Sequence, residues 1–421
     1  MSRFGSRNRA LLSASKCALV LASAGALVGL STTAAAGAES ASGAAPGVTA
    51  KTVTVGDLTD LTGTAASSTV GASAAFNAAI DQQNAEGGVN GRKIVVVTAD
   101  GGSTPAGELS ASQNLVQSHH VFAVGSDTLL MSAVANFYKQ NSVPVVGMGT
   151  DGGPEWYADS NFFVSWGDVT TPLSAAQYTT FGNFFKKRGI TKVGAIGYGN
   201  VPGSATSATG FGAGAKAVGL DPTFINTSSP QGGFNAASLV LGIQNSGAQG
   251  IALYVDQQDA VSLITAAKQA GLSNVLFASN AYGQAVLADK AAASAMNGSS
   301  VWLFQPPSEL KTAATEAQAA ALKKYAHLTG APDLLETTGW IGAQLMIKGL
   351  EVAGKNPTRS SFMTNLRQVK NWNANGLQPW SINFADYQKN IPQLCLYFAK
   401  IKNDNFVPVG TKPVCGGAPA S

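Results

Sequence analysis

The sequence is poor in charge, histidine and cysteine for its length. Charged residues make up 12% of the 421 residues, about half of the usual share. The low charge argues against a nucleic-acid-binding protein. A hydrophobic share of 45% argues against a disordered chain. The length exceeds that of one typical core, so two lobes are expected.

The residues needed for catalysis are also scarce. There are three histidines. His119 and His120 are adjacent and therefore point to different faces, and His327 falls on a Lys/Ala-rich helix that is expected at the surface. No G-x-S-x-G elbow, H-E-x-x-H motif or Walker A sequence is present. The sequence predicts no enzyme, no metal and no cofactor.

One glycine-rich turn resembles a dinucleotide-binding fingerprint. Gly197, Gly199 and Gly203 follow a predicted strand and precede a predicted helix, which is the position of that motif. The spacing is wrong by one residue, and Pro202 occupies the approach to the helix. We interpret it as a strand-to-helix turn, and a nucleotide site is the alternative.

The first residues have the pattern of an export signal. Arg3, Arg7, Arg9 and Lys16 flank an uncharged run at 18–30, and small residues follow at 34–38. We predict a signal peptide at 1–38 and a Ser/Ala/Gly-rich linker at 39–50, with a retained membrane anchor as the alternative. The mature protein is expected in the periplasm, the cell envelope or the medium.

Cleavage would also leave the chain nearly neutral. The leader holds four of the 27 basic residues, which leaves 23 against 23 acidic ones. Attraction to nucleic acid or to anionic lipid therefore has no support.

Two cysteines remain after the leader, because Cys17 lies inside it and Lys16 before it does not fit a lipoprotein-processing site. Cys395 and Cys415 are predicted to form a disulfide in an oxidising compartment. Two unpaired thiols are the alternative. Without nearby histidines they do not make a metal site.

Strand-like and helical patterns alternate along most of the chain. The predicted strands are 52–56, 93–98, 121–124, 143–146, 192–196, 251–255 and 275–278. Helical stretches separate them, which is typical of βαβ units with parallel strands. Two doubly wound lobes follow. The end differs: helices at 315–328 and 340–352 precede a hairpin, 395–401 and 406–409, around Asn403, Asp404 and Asn405.

Several acidic residues fall near predicted strand ends, where open α/β sheets bind ligands. They are Asp127, Asp151, Glu155, Asp168 and Asp256. They could meet an ammonium group, or each could cap a helix or lie in water.

The order of segments resembles that of a known family. The segment 84–94 is similar to the part that closes the first helix and opens the second strand of branched-chain amino-acid (leucine/isoleucine/valine) periplasmic binding proteins of type I. The segments 56–63, 143–146 with Thr150, 192–196 and 339–354 resemble other parts of that family.

That resemblance implies two α/β lobes joined by a hinge of three segments. The N-terminal lobe would comprise 50–165 and 300–383, the second lobe 166–299 and 384–416, and the tail 417–421. A small molecule would bind between the lobes and stabilise the closed form. A membrane permease of an ABC transporter is the implied partner, and the protein is expected to be a monomer that binds no nucleic acid.

The resemblance also implies ligand-contacting positions. On the N-terminal lobe they are Ser126, Asp127, Thr128, Met148, Gly149 and Thr150. On the second lobe they are Tyr254, Gln257, Asn280 and Tyr282.

The sequence also departs from the family at three ligand-contacting positions. The family's aromatic on the first turn falls near Ser67, its tyrosine aligns with Pro202, and its acid falls near Asn280 or Ala281. An amide or a short carboxylate is therefore as plausible a ligand as an amino acid.

Three functions are consistent with these patterns. The protein is expected to deliver a solute to a permease. Alternatively, it senses a ligand for a separate receptor, or it is an enzyme that uses the 197–203 turn for a nucleotide.

Overall fold

Two β-sheets organise the part of the chain that the computed structural model describes, namely residues 45–149, 151–165, 179–385 and 393–417. The predicted signal peptide and the first half of the predicted linker lie outside these residues. The chain forms one sheet, crosses to a second, returns to cover the first with helices and ends on the second. Within the described residues no helix combines the length and the apolar character needed to cross a membrane.

The first sheet contains parallel strands only, in the order β2-β1-β3-β4-β5. Its elements are β1 (Thr52–Thr59), α1 (Ala66–Ala85), β2 (Lys93–Asp100), α2 (Pro105–Gln113), β3 (Val124–Ser126), α3 (Ala135–Gln140), β4 (Val145–Gly147), α4 (Glu155–Ala158) and β5 (Phe162–Val164).

Two strands of this sheet begin later than the sequence predicts. β4 begins after Pro144, because proline has no N–H to donate to a neighbouring strand. β3 begins at Val124, three residues after the predicted start, and His120 just before that start has a left-handed φ of 50° that turns the chain. Strand β5 was not predicted.

The second sheet is entered through a short aromatic helix. Its first elements are α5 (Thr180–Lys186), β6 (Lys192–Gly197), α6 (Pro202–Ala217), β7 (Asp221–Asn226), α7 (Ala236–Ser246), β8 (Gly250–Tyr254), α8 (Gln257–Gln269), β9 (Leu276–Ser279), α9 (Gln284–Ala288), α10 (Lys290–Met296) and β10 (Ser300–Leu303). The strands β7-β6-β8-β9-β10 are parallel. The alternation predicted from the sequence is confirmed, although β7, α7 and β10 were not predicted.

After β10 the chain returns to the first sheet. Its helices there are α11 (Ala313–Ala321), α12 (Leu334–Ala353) and α13 (Arg359–Leu366), and a π-helical turn at Leu322–Ala326 extends α11. A capping box formed by Asp333 and Glu336 starts α12. A Cβ atom on Gly339 would lie 2.0 Å from the carbonyl oxygen of Ala72, so only glycine lets α12 pack this closely against α1.

The chain ends on the second sheet as β11 (Gln393–Lys402), β12 (Asn405–Pro408) and β13 (Val414–Gly417). All three pairings of β11 are antiparallel, so the second sheet is mixed. Asn403 and Asp404 both have positive φ, which gives a two-residue turn of the kind that hairpins prefer. Cys395 and Cys415 are disulfide-bonded across β11 and β13, as predicted.

Three crossings connect the sheets: from β5 to α5, from β10 to α11, and from residue 385 to β11. The first and the third contain residues outside the described ranges. We call each sheet with the helices that cover it a lobe, first and second. The two-lobe α/β fold predicted from the sequence is confirmed, and the exact residue bounds of each lobe stay a prediction.

Candidate functional site

The carboxyl ends of the parallel strands define one edge of each lobe. In the first lobe β1, β3 and β4 end at Thr59, Ser126 and Gly147. In the second lobe β6, β8 and β9 end at Gly197, Tyr254 and Ser279. Ligands of open α/β sheets bind outside such ends.

These two edges meet at a pair of glycines. Gly152 lies in the loop that follows β4, and Gly203 lies in the first turn of α6. A Cβ atom on Gly152 would lie 3.3 Å from the Cα atom of Gly203. Gly152 also has a φ of 68°, which disfavours any side chain there. The loop and the helix therefore close one boundary of a cleft between the lobes.

The predicted ligand residues after β3 and β4 are at this edge of the first lobe. Ser126 is the last residue of β3 and is buried, whereas Met148 and Gly149 are half-buried. The Gly149 carbonyl accepts a hydrogen bond of 3.0 Å from the Gly152 N–H. Thr150, which was the firmest match to the family, lies outside the described residues, as does Asp168.

Asp127 directly follows β3 and is half-buried. Its N–H donates to the Leu58 carbonyl at 2.9 Å. Within the described residues its Oδ2 atom is buried without a hydrogen-bond partner. Burial, and next the charge of Asp57, raise the pKa of Asp127 well above its usual value. One oxygen of the carboxyl group is thus buried, which supports neither the helix-cap nor the fully solvated interpretation.

Asp57, near the end of β1, shares this interior region. Its Oδ2 atom accepts hydrogen bonds from Ser73 at 2.5 Å, Thr98 at 3.2 Å and Asn77 at 3.4 Å. Its Oδ1 atom is buried without a partner. Burial raises its pKa to about 6 in spite of those hydrogen bonds. The two carboxyl groups therefore compete for charge, and one proton between them relieves the competition.

The hydroxyl group of Thr128 connects its own loop to the loop after β1 and to helix α2. That hydroxyl lies 3.0 Å from Asp60 Oδ2, accepts the Leu130 N–H at 3.0 Å and also contacts Glu108 Oε1. Burial is the main cause that raises the Glu108 pKa to about 8. A protonated Glu108 can donate to Thr128 while Thr128 donates to Asp60, whereas Glu108 Oε2 is buried without a partner among the described residues.

A second acidic pair lies beside the glycine contact. Asp151 accepts hydrogen bonds of 2.7 Å from the Trp156 indole N–H and from the Ser132 backbone N–H. Glu155 is buried nearby, and burial, then the Asp151 charge, raise its pKa to about 7. Both oxygens of Asp151 are therefore used to hold the loop after β4 in place.

On the second lobe the predicted residues Tyr254 and Gln257 lie on either side of a helix cap. Tyr254 is half-buried at the end of β8. Asp256 caps α8 by accepting the Asp259 N–H at 2.8 Å, which supports the interpretation of Asp256 as a cap. Gln257 is half-buried in the first turn of α8, and its side chain makes no hydrogen bond within the described part of the chain.

Asn280 and Tyr282 follow β9 and differ in what their side chains do. Asn280 is half-buried, and its Oδ1 atom has no hydrogen-bond partner. Tyr282 is buried; its hydroxyl donates to Glu309 at 2.9 Å and accepts the Ser308 N–H at 2.8 Å. The Tyr282 hydroxyl is thus bound to the crossing between β10 and α11. A role for Tyr282 in ligand contact stays a prediction.

Sequence reasoning missed an aromatic series that begins at Tyr254, at the carboxyl end of β8. Trp302 lies 6.3 Å from Tyr254 and 5.1 Å from Phe304, and Phe304 lies 6.3 Å from Trp380, all between ring centroids. The series runs from the second sheet through the crossing after β10. In the sequence, the pair of aromatics at 302 and 304 was the one sign of this series. It could not be interpreted because the strand that carries Trp302, β10, was not predicted.

The glycine-rich turn at 197–203 serves packing. A Cβ atom on Gly197 would lie 2.4 Å from the Ser204 carbonyl oxygen. The Ser204 hydroxyl accepts the Tyr198 N–H at 2.6 Å and donates to the Tyr254 carbonyl at 2.5 Å. Close approach of β6, α6 and β8 explains the glycine, which supports the strand-to-helix interpretation.

The described residues include no group of three or more His, Cys, Asp or Glu side chains that could hold a metal ion. The three histidines are exposed, as expected for His327.

Solved structures with the same fold bind varied small molecules. A fatty acid ABC transporter substrate-binding protein from Thermomonospora curvata is 23% identical, covers 88% of this chain and 94% of its own, and has a TM-score of 0.70. A solute-binding protein from R. palustris in complex with benzoate is 17% identical, with coverages of 88% and 98% and a TM-score of 0.71.

A third structure is the branched-chain amino acid transporter substrate-binding protein from Streptococcus pneumoniae in complex with isoleucine. It is 17% identical, with coverages of 87% and 100% and a TM-score of 0.69. No curated protein is significantly similar to this chain in sequence. The family described as "Periplasmic binding protein" matches residues 52–405, and this chain belongs to that family.

Proposed function

We propose that this protein binds one small polar solute between its two lobes, without reacting with it, and delivers it to the permease of an ABC importer. The contact between Gly152 and Gly203 carries this proposal, because it brings the ligand-binding edges of two separate sheets together. A solute in that cleft touches both lobes only when they are closed, so its binding stabilises the closed form.

The chemistry of the two edges suggests which solutes fit. The strand-end segments at 59–63, 100–104, 126–130, 147–149 and 151–155 of the first lobe contain no lysine or arginine, and neither do those at 197–203, 226–230, 254–259 and 279–283 of the second. A carboxylate would therefore be held by hydroxyl groups such as that of Ser126 and by backbone N–H groups. The aromatic series with Tyr254 offers an apolar surface to the rest of the molecule.

Amino acids, amides and short carboxylates satisfy these conditions. Isoleucine and benzoate, the ligands in two of the solved relatives, each combine a carboxylate with an apolar body. Of the positions implied by the resemblance, we propose Ser126, Met148, Gly149 and Thr150 on one side. Tyr254, Gln257 and Asn280 would face them from the other side.

Export and the absence of turnover belong to the same proposal. The basic and apolar leader supports export before cleavage near residue 38. Membership of a family of periplasmic binding proteins supports a role in transport rather than catalysis. Asp60 and Asp151 accept hydrogen bonds from neighbouring groups of the first lobe, which supports a structural role for both.

The decisive experiment combines ligand screening with a measurement of shape. A thermal-shift screen of the mature protein over amino acids, amides and small carboxylates should give a concentration-dependent rise in melting temperature for one class. X-ray scattering with that ligand should show a smaller radius of gyration. Recovery of a chemically altered ligand, or an unchanged radius at saturation, would contradict the proposal.

A further inference from the structure

A hydrogen-bond network at the ligand-binding edge of the first lobe joins three loops to helix α2. Asp60 lies in the loop after β1 and is fully buried. Its Oδ1 atom accepts the Ser103 N–H of the loop after β2 at 2.5 Å, and its Oδ2 atom lies 3.0 Å from the hydroxyl of Thr128, in the loop after β3. Glu108 on α2 is also fully buried and contacts the same hydroxyl. Two buried carboxyl groups therefore meet at Thr128.

The contacts of Thr128 require one more proton than its hydroxyl group supplies. A hydroxyl carries a single hydrogen, and two oxygen atoms at hydrogen-bonding distance need a hydrogen between them. The Thr128 hydrogen serves at most one of the two acids, so the other acid must be protonated for its own contact to be a hydrogen bond. Asp60 is the acid that stays ionised, because a backbone N–H already donates to it. Glu108 is therefore the acid that carries the proton.

The surroundings of Glu108 also favour its neutral form. Its Oε2 atom is buried and has no hydrogen-bond partner among the described residues. An unpaired oxygen costs far less free energy in a neutral acid than in a carboxylate. A Cβ atom on Gly101 would lie 2.3 Å from Glu108 Oε1 and 2.4 Å from Oε2, so the carboxyl group packs directly against the backbone. Burial, more than any other cause, raises the pKa of Glu108 to about 8.

The charged groups around Glu108 oppose its ionisation. Asp60 raises the Glu108 pKa further through its charge and a side-chain hydrogen bond, and Asp100 does so through its charge. Tyr138 of α3 also interacts with Glu108. Asp57 of β1 faces α1 on the other side of the sheet. Two turns pack against α2 and contain no titratable residue, namely 114–118 and 131–133.

The network holds the loop that directly follows Ser126. The Leu130 N–H donates to the Thr128 hydroxyl at 3.0 Å, and the Asp127 N–H donates to the Leu58 carbonyl at 2.9 Å. Both bonds fix this loop from within the first lobe. Ser126, the last residue of β3, is one of the proposed solute contacts. A movement of Thr128 would therefore change the position of Ser126 at the cleft.

We propose that Glu108 is a positioning residue for the cleft: the proton on its carboxyl group holds Thr128, and through it the 126–130 loop, in the conformation in which Ser126 contacts a solute. Loss of this proton leaves one hydrogen for two carboxylates, so one contact of Thr128 becomes repulsive and the loop moves. Solute binding is therefore stronger in neutral or acidic surroundings than in alkaline ones. This inference rests on the function proposed for the cleft.

The first measurement follows the loop itself and needs no solute. The Leu130 N–H signal in a nitrogen-15 NMR spectrum of the mature protein reports on the Thr128 hydroxyl and should shift with a midpoint near pH 8. Glu108→Gln replaces the acid by an amide that donates to Thr128 at every pH, so this shift should disappear. Glu86→Gln, at an exposed position at the end of α1, should keep it.

The second measurement is solute affinity by calorimetric titration, with L-isoleucine, L-isoleucinamide and benzoate as probes. For each probe that binds, the affinity of the unaltered protein and of Glu86→Gln should fall by about tenfold or more between about pH 6.5 and 9.5, because only the protonated fraction binds well. The affinity of Glu108→Gln should change only by the titration of the probe itself, which affects all three proteins equally.

The proposal is wrong if the Leu130 signal does not titrate in this range, or if it titrates equally in Glu108→Gln. It is also wrong if Glu108→Gln loses as much affinity as the unaltered protein. If none of the probes binds, the function proposed for the cleft fails for them, and the Leu130 signal alone decides whether Glu108 holds the loop.

Discussion

Asp57 and Asp127 place their carboxyl groups together inside the first lobe, and each keeps one buried oxygen without a hydrogen-bond partner. Neighbouring strands bring them together: Asp57 pairs with Gly125 in the register of β1 and β3, so Asp127 projects from the same face as Asp57. The sequence places Asp127 near a ligand, which stays a prediction, and the structure adds that the charge of Asp57 acts on its carboxyl group.

The first prediction is that the protein loses stability as the pH rises. The pKa of Asp57 is about 6 when folded and 3.8 ordinarily, so the folded state holds the proton more tightly. Stability is then fully present below about pH 4 and is lost as the pH rises through 6, by at most about 3 kcal/mol. Urea unfolding at several pH values measures this.

Asp57→Asn should weaken this dependence between about pH 4 and 7, because the amide needs no proton, and the raised pKa of Glu155 accounts for part of what remains. Asp81→Asn is the matched control on α1, since Asp81 is exposed. Equal pH profiles for Asp57→Asn and the unaltered protein would show that the pair does not set the dependence.

The second prediction concerns closure. Gly152→Ala introduces a Cβ atom against Gly203 and should weaken ligand affinity about tenfold, or 1.4 kcal/mol. Gly189 has a φ of 72°, close to the 68° of Gly152, and open space around it. Gly189→Ala therefore carries the same backbone strain without the contact. Calorimetric titration of both variants measures the difference, and equal losses would mean that strain alone is responsible.

The third prediction concerns the second lobe's side of the cleft. Gln257→Ala should weaken ligand binding about tenfold, because the half-buried amide is free to bind a solute. Gln258→Ala, at the exposed neighbouring position of α8, should have little effect. If both variants bind like the unaltered protein, Gln257 is not part of the site.

The fourth prediction concerns the disulfide. Cys395→Ala combined with Cys415→Ala removes a link that closes a loop of about twenty residues, and should cost about 3 kcal/mol of unfolding free energy. Dithiothreitol should lower the melting temperature of the unaltered protein by as much as the double substitution does. It should leave the melting temperature of the double variant unchanged. A reductant effect of the same size in the variant would assign the loss to another cause.

The fold was predictable wherever a local sequence pattern indicates a strand, a helix or a turn. The alternation of β-branched strands and amphipathic helices predicted both lobes, and Asn403 and Asp404 predicted the hairpin. β5 and β10 have only three and four residues and were missed, whereas β3 and β4, which are equally short, lie in valine-rich runs that made them visible. β7, at the sheet edge, is only partly buried, so its pattern is weak.

The site was predictable to the level of strand ends and not to the level of side-chain direction. The structure places the residues after β3, β4, β8 and β9 at the carboxyl edges of the sheets, and their contact with a ligand stays a prediction. The sequence could not show that one oxygen of Asp127 is buried or that Tyr282 reaches Glu309, because both depend on contacts between segments far apart in the chain. The aromatic series was missed for the same reason, because its members come from segments far apart in the chain.

The disulfide-bonded strand has a consequence for the pivot between the lobes. The Thr179 N–H donates to the Gly417 carbonyl at 2.9 Å, Asn183 donates to the Cys415 carbonyl at 3.1 Å, and Thr180 donates to the Leu394 carbonyl at 2.7 Å. Two of the three connecting segments thus end on one covalently linked unit. A covalent bond therefore reinforces the four residue pairs that already join β11 to β13, which favours movement of these two segments as one unit.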